Sequence, residues 1–202
     1  MNEIYELLDI LIPNPVCELD FNKDYELLIA TVLSAQSTDR RVNKVTKVLF
    51  TKYDLIALAK ASLDDIKQII RSVGSFNKKA VYINKIANSL IDNFDGIVPN
   101  DREYLESLPG VGRKTANVVL KILFNVPAIP VDTHVERVSK RLGLVPKTAN
   151  VKEVEEELMK IIPIEKWNRV GDQILLFGRY YCKSRNPECL SCPFKERCKK
   201  DD

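Results

Sequence analysis

The chain has 202 residues, 45% of them hydrophobic and 29% charged, and carries a formal net charge of +3. That is enough for one domain or two small ones with a sizeable core, so disulfides are not needed to hold it. The mildly basic balance is compatible with nucleic acid but is shared by many enzymes. No apolar run is long enough to span a membrane, and the start, Met-Asn-Glu-Ile-Tyr-Glu, lacks the basic start and apolar centre of a signal peptide. A cytosolic protein is expected, and disulfides are rare there.

Ile4, Leu7, Leu8, Ile10 and Leu11 recur at helical spacing and predict a helix over 2–12, ended by Pro13 and Pro15. A strongly apolar, buried helix is predicted over 24–35, interrupted by Ser34-Ala-Gln-Ser-Thr38. Ser37 or Thr38 can cap the next helix, which carries Asp39, Arg40, Arg41, Lys44 and Lys47 on its polar side. Short helices are expected at 53–60 and 63–72, the second capped by Ser62 and closed by Gly74. A longer one covers about 77–94, and another runs about 101–107 into the turn Leu108-Pro-Gly-Val-Gly112. A helix at 113–124 follows, then Pro127-Ala-Ile-Pro-Val131, which alone reads as extended. Helices at about 134–142, 151–162 and 165–181 complete the series. No stretch shows strand alternation with hairpin turns, and no repeat of 20–50 residues appears. The fold class is all-α.

Leu108-Pro-Gly-Val-Gly112 is a tight turn between helices. Gly110 and Gly112 can take φ > 0, and without Cβ atoms they let another backbone approach. Their amides can converge on the start of the next helix, where N–H groups and the helix dipole favour an anion such as a phosphate. Arg113 and Lys114 then put two cations where the dipole disfavours them, which calls for a functional reason. Gly-Arg-Lys-Thr is not a phosphate-binding P-loop. Arg113 separates Gly112 from Lys114, position 107 is Ser, and the preceding segment is helical.

Asp132 stands after Pro130 at the entrance to a helix. It is either a plain N-cap or a carboxylate available for chemistry; Thr133 with Glu136 forms a rival capping box that would free it. His134 is the chain's only histidine. Cys182, Cys189, Cys192 and Cys198 follow the spacing C-x6-C-x2-C-x5-C, which argues for metal rather than disulfides. Zinc and an iron–sulfur cluster both accept four thiolates, so the spacing leaves both open. Cys17 stands apart and reads as a small buried hydrophobe.

The stretch from Leu108 to Leu120, followed by Val131-Asp-Thr-His134, resembles the helix-hairpin-helix of the endonuclease III family of DNA glycosylases. The resemblance runs from Leu27-Leu-Ile-Ala-Thr-Val-Leu-Ser-Ala-Gln36 to the last cysteine. It implies base-excision repair of double-stranded DNA by a monomer, nucleoid-associated in a prokaryote, that removes oxidised pyrimidines and cuts the abasic site by β-elimination.

The resemblance also assigns roles. Lys114 is the nucleophile that attacks the sugar; the helix N-terminus and Arg113 disfavour its ammonium form and favour the free amine. Asp132 is the catalytic carboxylate. Gly110, Val111, Gly112 and Arg113 bind the DNA backbone, and Gln36 enters the hole left by the extruded base. His134 either orients the Asp132 loop or touches phosphate. The four cysteines hold a [4Fe–4S] cluster.

Two lobes with a cleft between them are implied, a helical domain over about 20–126 and a second of 1–19 plus 127–202. The position where the family usually has a Leu wedge is Ser75. The related adenine glycosylases lack a Lys at the position of Lys114 and extend further at the C-terminus, whereas this chain ends soon after Cys198. A non-catalytic DNA-binding module would have no use for Lys114 and Asp132 together.

Overall fold

The computed structural model of the chain describes residues 1–199. Its regular structure is helical, and no strand occurs among the described residues. No helix there is long and apolar enough to cross a membrane. The chain divides into two compact units, one of Glu18–Phe124 and one of Met1–Cys17 together with the chain from Asn125.

The Glu18–Phe124 unit is built around α2 (Asp24–Ser34), in which every residue from Tyr25 to Leu33 is buried. A helix that is apolar on all sides must be covered on all sides. Accordingly α2 packs against α3 (Asp39–Lys52), α6 (Phe76–Phe94) and α8 (Arg113–Phe124). The remaining helices are α4 (Leu55–Lys60), α5 (Leu63–Ile70) and α7 (Arg102–Ser107).

Polar residues start these helices for a local reason: their side-chain oxygens accept from otherwise unpaired first-turn amides. Thr38 accepts from Arg41 N at 3.4 Å, Asp54 from Ala57 N at 2.8 Å, Ser62 from Asp65 N at 3.1 Å and Asp101 from Tyr104 N at 3.1 Å. Asn84 and Asn88 of α6 donate to the Ala59 carbonyl at 2.9 and 3.1 Å, satisfying the end of α4.

Gly74 does not close α5 in the way its sequence position implied. The C-cap is Arg71 in right-handed geometry, and the left-handed residue of this loop is Ser75, with φ 56°. Gly74 serves a different contact: a Cβ there would lie 3.2 Å from the Gln36 carbonyl oxygen.

In the other unit, α11 (Trp167–Tyr180) packs against α1 (Asn2–Leu11) and α9 (Thr133–Arg141), and α10 (Val151–Ile161) packs on α9. Leu8, Val135, Val138, Leu158, Ile174 and Phe177 belong to its core. Asp9 fastens the N-terminal helix to α11. Its Oδ1 accepts from Arg169 Nη2 at 2.6 Å and from Gln173 Nε2 at 2.7 Å, while Gln173 also donates to the Ile12 carbonyl at 3.0 Å. The bonds from Gln173 and Arg169 hold the Asp9 carboxyl below its ordinary pKa. Cys17 is exposed, not buried; the chain lies at the surface here, and neighbouring Val16 is exposed with it.

Candidate functional site

The turn before α8 closes through a hydrogen bond from Val111 N to Leu108 O at 3.1 Å. Pro109 takes its second position and Gly110, with φ 81°, its third, as a type II turn requires. Gly110 is demanded twice over, because a Cβ there would lie 2.5 Å from Tyr82 Cδ2 and 3.2 Å from Val32 Cγ1. Leu108 and Val111 are buried and anchor the turn.

Val111 is 5% exposed, and its N–H serves the turn itself. Gly112 does not take the positive φ open to it. Only Gly110 has positive φ, whereas Gly112 is exposed with no atom within 4 Å of an added Cβ. Its missing side chain leaves open space at the mouth of α8, not relief for the fold. Arg113 is exposed and Lys114 half-buried on the first turn of α8.

Asp132 belongs to the other unit and is the N-cap of α9. Its Oδ1 accepts from His134 N at 2.8 Å and Val135 N at 2.9 Å. The rival capping box does not form. Thr133 is already the first helical residue, and Glu136 pairs with Lys140 at 2.6 Å instead. Both cap bonds end on Oδ1, so capping leaves Oδ2 unused.

His134 is half-buried, where α9 meets α11. A Cβ on Gly178 would come within 2.9 Å of His134 Cβ, and His134 Nδ1 lies 3.2 Å from Arg137 Nη2.

Cys182 follows α11, and a series of turns carries the chain through Cys189, Cys192 and Cys198. The loop folds over Phe194, which is fully buried with its ring centroid 5.1 Å from that of Phe177. All four cysteines line one cavity of about 320 Å³, together with Leu11, Leu142, Phe177 and Tyr181. Burial pushes the Cys192 thiol pKa up, and the other three cysteines push it further. Sulfurs that repel one another in an apolar-walled cavity fit a cationic group shared among four thiolates. Among the described residues, no three His, Cys, Asp or Glu side chains are grouped closely enough to hold a metal ion. The thiols are thus arranged around a cavity, not around a point.

Two arginines at (i, i+4) on α9 support this loop, and sequence reasoning did not single them out. Arg137 Nε donates to the Cys182 carbonyl at 3.1 Å, and Arg141 Nη1 approaches Cys182 Sγ at 3.3 Å. Their spacing on the helix that follows Asp132 was the available signal.

Within the Glu18–Phe124 unit, Gln36 is exposed with φ 56°, and Ser75 is likewise exposed with φ 56°. Ser75 precedes α6 but makes no side-chain cap bond, and Phe76 is half-buried. The Gly74 amide donates to Ser37 Oγ at 3.1 Å, so the two left-handed turns are neighbours.

Known proteins resemble this chain in sequence and in fold. Residues 29–164 match the family described as HhH-GPD superfamily base excision DNA repair protein. Endonuclease III of Bacillus subtilis (strain 168) is 47% identical over 193 residues, covering 94% of this chain and 87% of that protein. Endonuclease III of Escherichia coli (strain K12) is 44% identical, covering 92% and 88%. A trapped endonuclease III–DNA covalent intermediate in an estranged-adenine complex superposes with a TM-score of 0.93 at 50% identity, covering 98% of this chain and 95% of that one. A thermostable thymine-DNA glycosylase shares the fold at a TM-score of 0.85 and 23% identity. With a family match across most of its length, and relatives at this identity spanning nearly all of it, the chain belongs to the endonuclease III family of the HhH-GPD superfamily of base excision DNA repair proteins.

Proposed function

We propose that this protein is a bifunctional enzyme of base-excision repair, a DNA N-glycosylase for oxidised pyrimidines and a lyase for the abasic sites that result. The observation that carries the reading is the placement of Lys114. It stands on the first turn of α8, shortly after a type II turn, and Gly112 between the turn and the helix opens onto empty space.

The damaged nucleotide leaves the duplex, since its C1′ is out of reach in the stack. Lys114 Nζ attacks C1′, and the base departs with the electrons of the glycosidic bond. Asp132, through the oxygen that its cap leaves unused, steadies positive charge on the sugar and takes the proton that Nζ loses. Ring opening gives a Schiff base between Lys114 and C1′. Loss of a proton from C2′ then expels the 3′ phosphate by β-elimination. Gln36 occupies the vacated hole, where its amide can both donate to and accept from the widowed base. Borohydride is expected to trap the protein covalently on an abasic-site duplex; a protein that binds that duplex and never traps forms no Schiff base, and this reading falls.

The hairpin turn makes a paired prediction. Gly110→Ala must force a side chain into Tyr82 at a left-handed φ, and should lower stability by about 2–4 kcal/mol. Gly112→Ala meets nothing in the fold and should melt with the parent. It should nonetheless bind duplex DNA about tenfold more weakly, because its methyl stands where a phosphate must approach the helix N-terminus. Thermal unfolding and binding titrations on both variants check this, and full affinity for Gly112→Ala would remove the phosphate from that site.

Cys182, Cys189, Cys192 and Cys198 would hold a [4Fe–4S] cluster, with Arg137 and Arg141 orienting the first of them. Bound there, the cluster supplies a rigid cross-link that closes the loop bearing Lys183, Arg185, Lys195 and Arg197. Anaerobically purified protein should be brown and carry about four iron per chain. Cys198→Ala should lose the colour and much of the DNA affinity. Zinc in place of iron would reject the cluster.

A further inference from the structure

Lys79 is 5% exposed, an unusual place for an ammonium group. Its Nζ donates to the Leu33 carbonyl at 2.9 Å and to the Ala35 carbonyl. These oxygens lie at the C-terminal end of α2, where helix carbonyls lack amide partners and the dipole favours a cation. Burial pulls the Lys79 pKa below its ordinary value. The position falls on the buried face of α6, beside Ala80, Ile83, Ile86 and Ala87. Helical spacing alone would place an apolar residue there.

The charge joins the end of α2 to the beginning of α6, and an exposed left-handed residue projects from each: Gln36 from the first and Ser75 from the second. Left-handed backbone is disfavoured for residues with a Cβ and persists only where the surroundings impose it. The restraints here are specific. Lys79 N donates to the Ser75 carbonyl at 3.1 Å while its side chain holds the carbonyls just before Gln36. Gly74 N–H bonds Ser37 Oγ at 3.1 Å, and Gly74 packs on the Gln36 carbonyl.

We infer that Lys79 is a positioning residue: together with the Ser37–Gly74 hydrogen bond it locks the Gln36 and Ser75 turns into one preformed surface that enters DNA at the extruded nucleotide. The inference rests on the proposed insertion of Gln36. A surface ordered in advance loses no freedom on insertion, so more of the contact energy appears as affinity. This matters more here because Ser75 offers little apolar area for a wedge of its own.

The test is a double-mutant cycle on the full chain, read as affinity for a duplex carrying a tetrahydrofuran abasic analogue and for a fully paired duplex. Lys79→Met keeps the buried stem and removes the donors. It should weaken binding to the analogue duplex about tenfold, with fully paired duplex changed less than about twofold. In a Gln36→Ala background, the same substitution should weaken it no further. An equal factor in both backgrounds, or an equal loss on both duplexes, makes Lys79 a general stabiliser and overturns the inference. Gln36→Ala binding as tightly as the parent is a separate result, which overturns the insertion of Gln36 and the inference with it. Should Lys79→Met not fold, Ser37→Ala carries the same cycle from a residue outside the core. One lost hydrogen bond predicts about a three- to tenfold weakening that vanishes in the Gln36→Ala background, and persistence of the factor there overturns the inference.

Discussion

Lys114→Gln is expected to abolish borohydride trapping and to slow strand cleavage at an abasic site by at least about a thousandfold, more than ~4 kcal/mol of barrier. Glutamine keeps an extended polar side chain, but its amide nitrogen has no available lone pair and cannot form an imine. The fold should tolerate the change. Helix α8 is held by the buried Ala116, Val119 and Leu120, while Lys114 lies half-buried on its first turn. A single substitution at such a position should shift stability by about 1 kcal/mol or less. Binding to a tetrahydrofuran duplex should survive, since the hairpin turn and Arg113 are untouched. Trapping, calorimetric melting and fluorescence anisotropy on one preparation separate chemistry from folding and from binding. A Lys114→Gln protein that traps like the parent assigns the nucleophile elsewhere.

Asp132→Asn should slow base release by about a hundred- to a thousandfold with little change in melting temperature. The structure makes this substitution informative because Asp132 also caps α9. Asparagine caps a helix about as well as aspartate, so the bonds to His134 N and Val135 N survive. Only the charge is lost, worth about 0.3–1 kcal/mol at a helix N-terminus. Asp132→Ala removes cap and carboxylate together and should cost about 1 kcal/mol more in stability. If the two variants lose activity equally but differ in melting temperature, chemistry and capping have been separated at one residue. Single-turnover base release is the decisive measurement, and parental turnover in Asp132→Asn would leave Asp132 as a cap alone.

Much of this protein is determined within short windows of its sequence. The all-helical class follows from apolar spacing. The start of α3 at Thr38 and of α5 at Ser62 follows from side chains that reach their own first turn. The turn before α8 follows from Pro109-Gly110, because only glycine takes φ 81° without strain. The chemistry proposed for Lys114, Asp132 and the four cysteines rests on motif order and a family resemblance, not on periodicity.

What the sequence left undecided turned on backbone angles and distant partners. Asp132 and Thr133 are adjacent and equally able to cap; the extended backbone at Asp132, φ −114° and ψ −174°, chose between them. Gly74 offered the freer backbone, yet Ser75 took the left-handed turn, because Gly74 was needed where it packs on Gln36. Cys17 turned outward, against its single-residue reading. Asp9 meets Arg169 across 160 residues, and Lys79 meets Leu33 across 46. Such pairings depend on how whole helices pack, and burying a polar group is tolerable only once its partner has arrived. No local pattern announces that arrival, so these contacts belong to the tertiary structure alone.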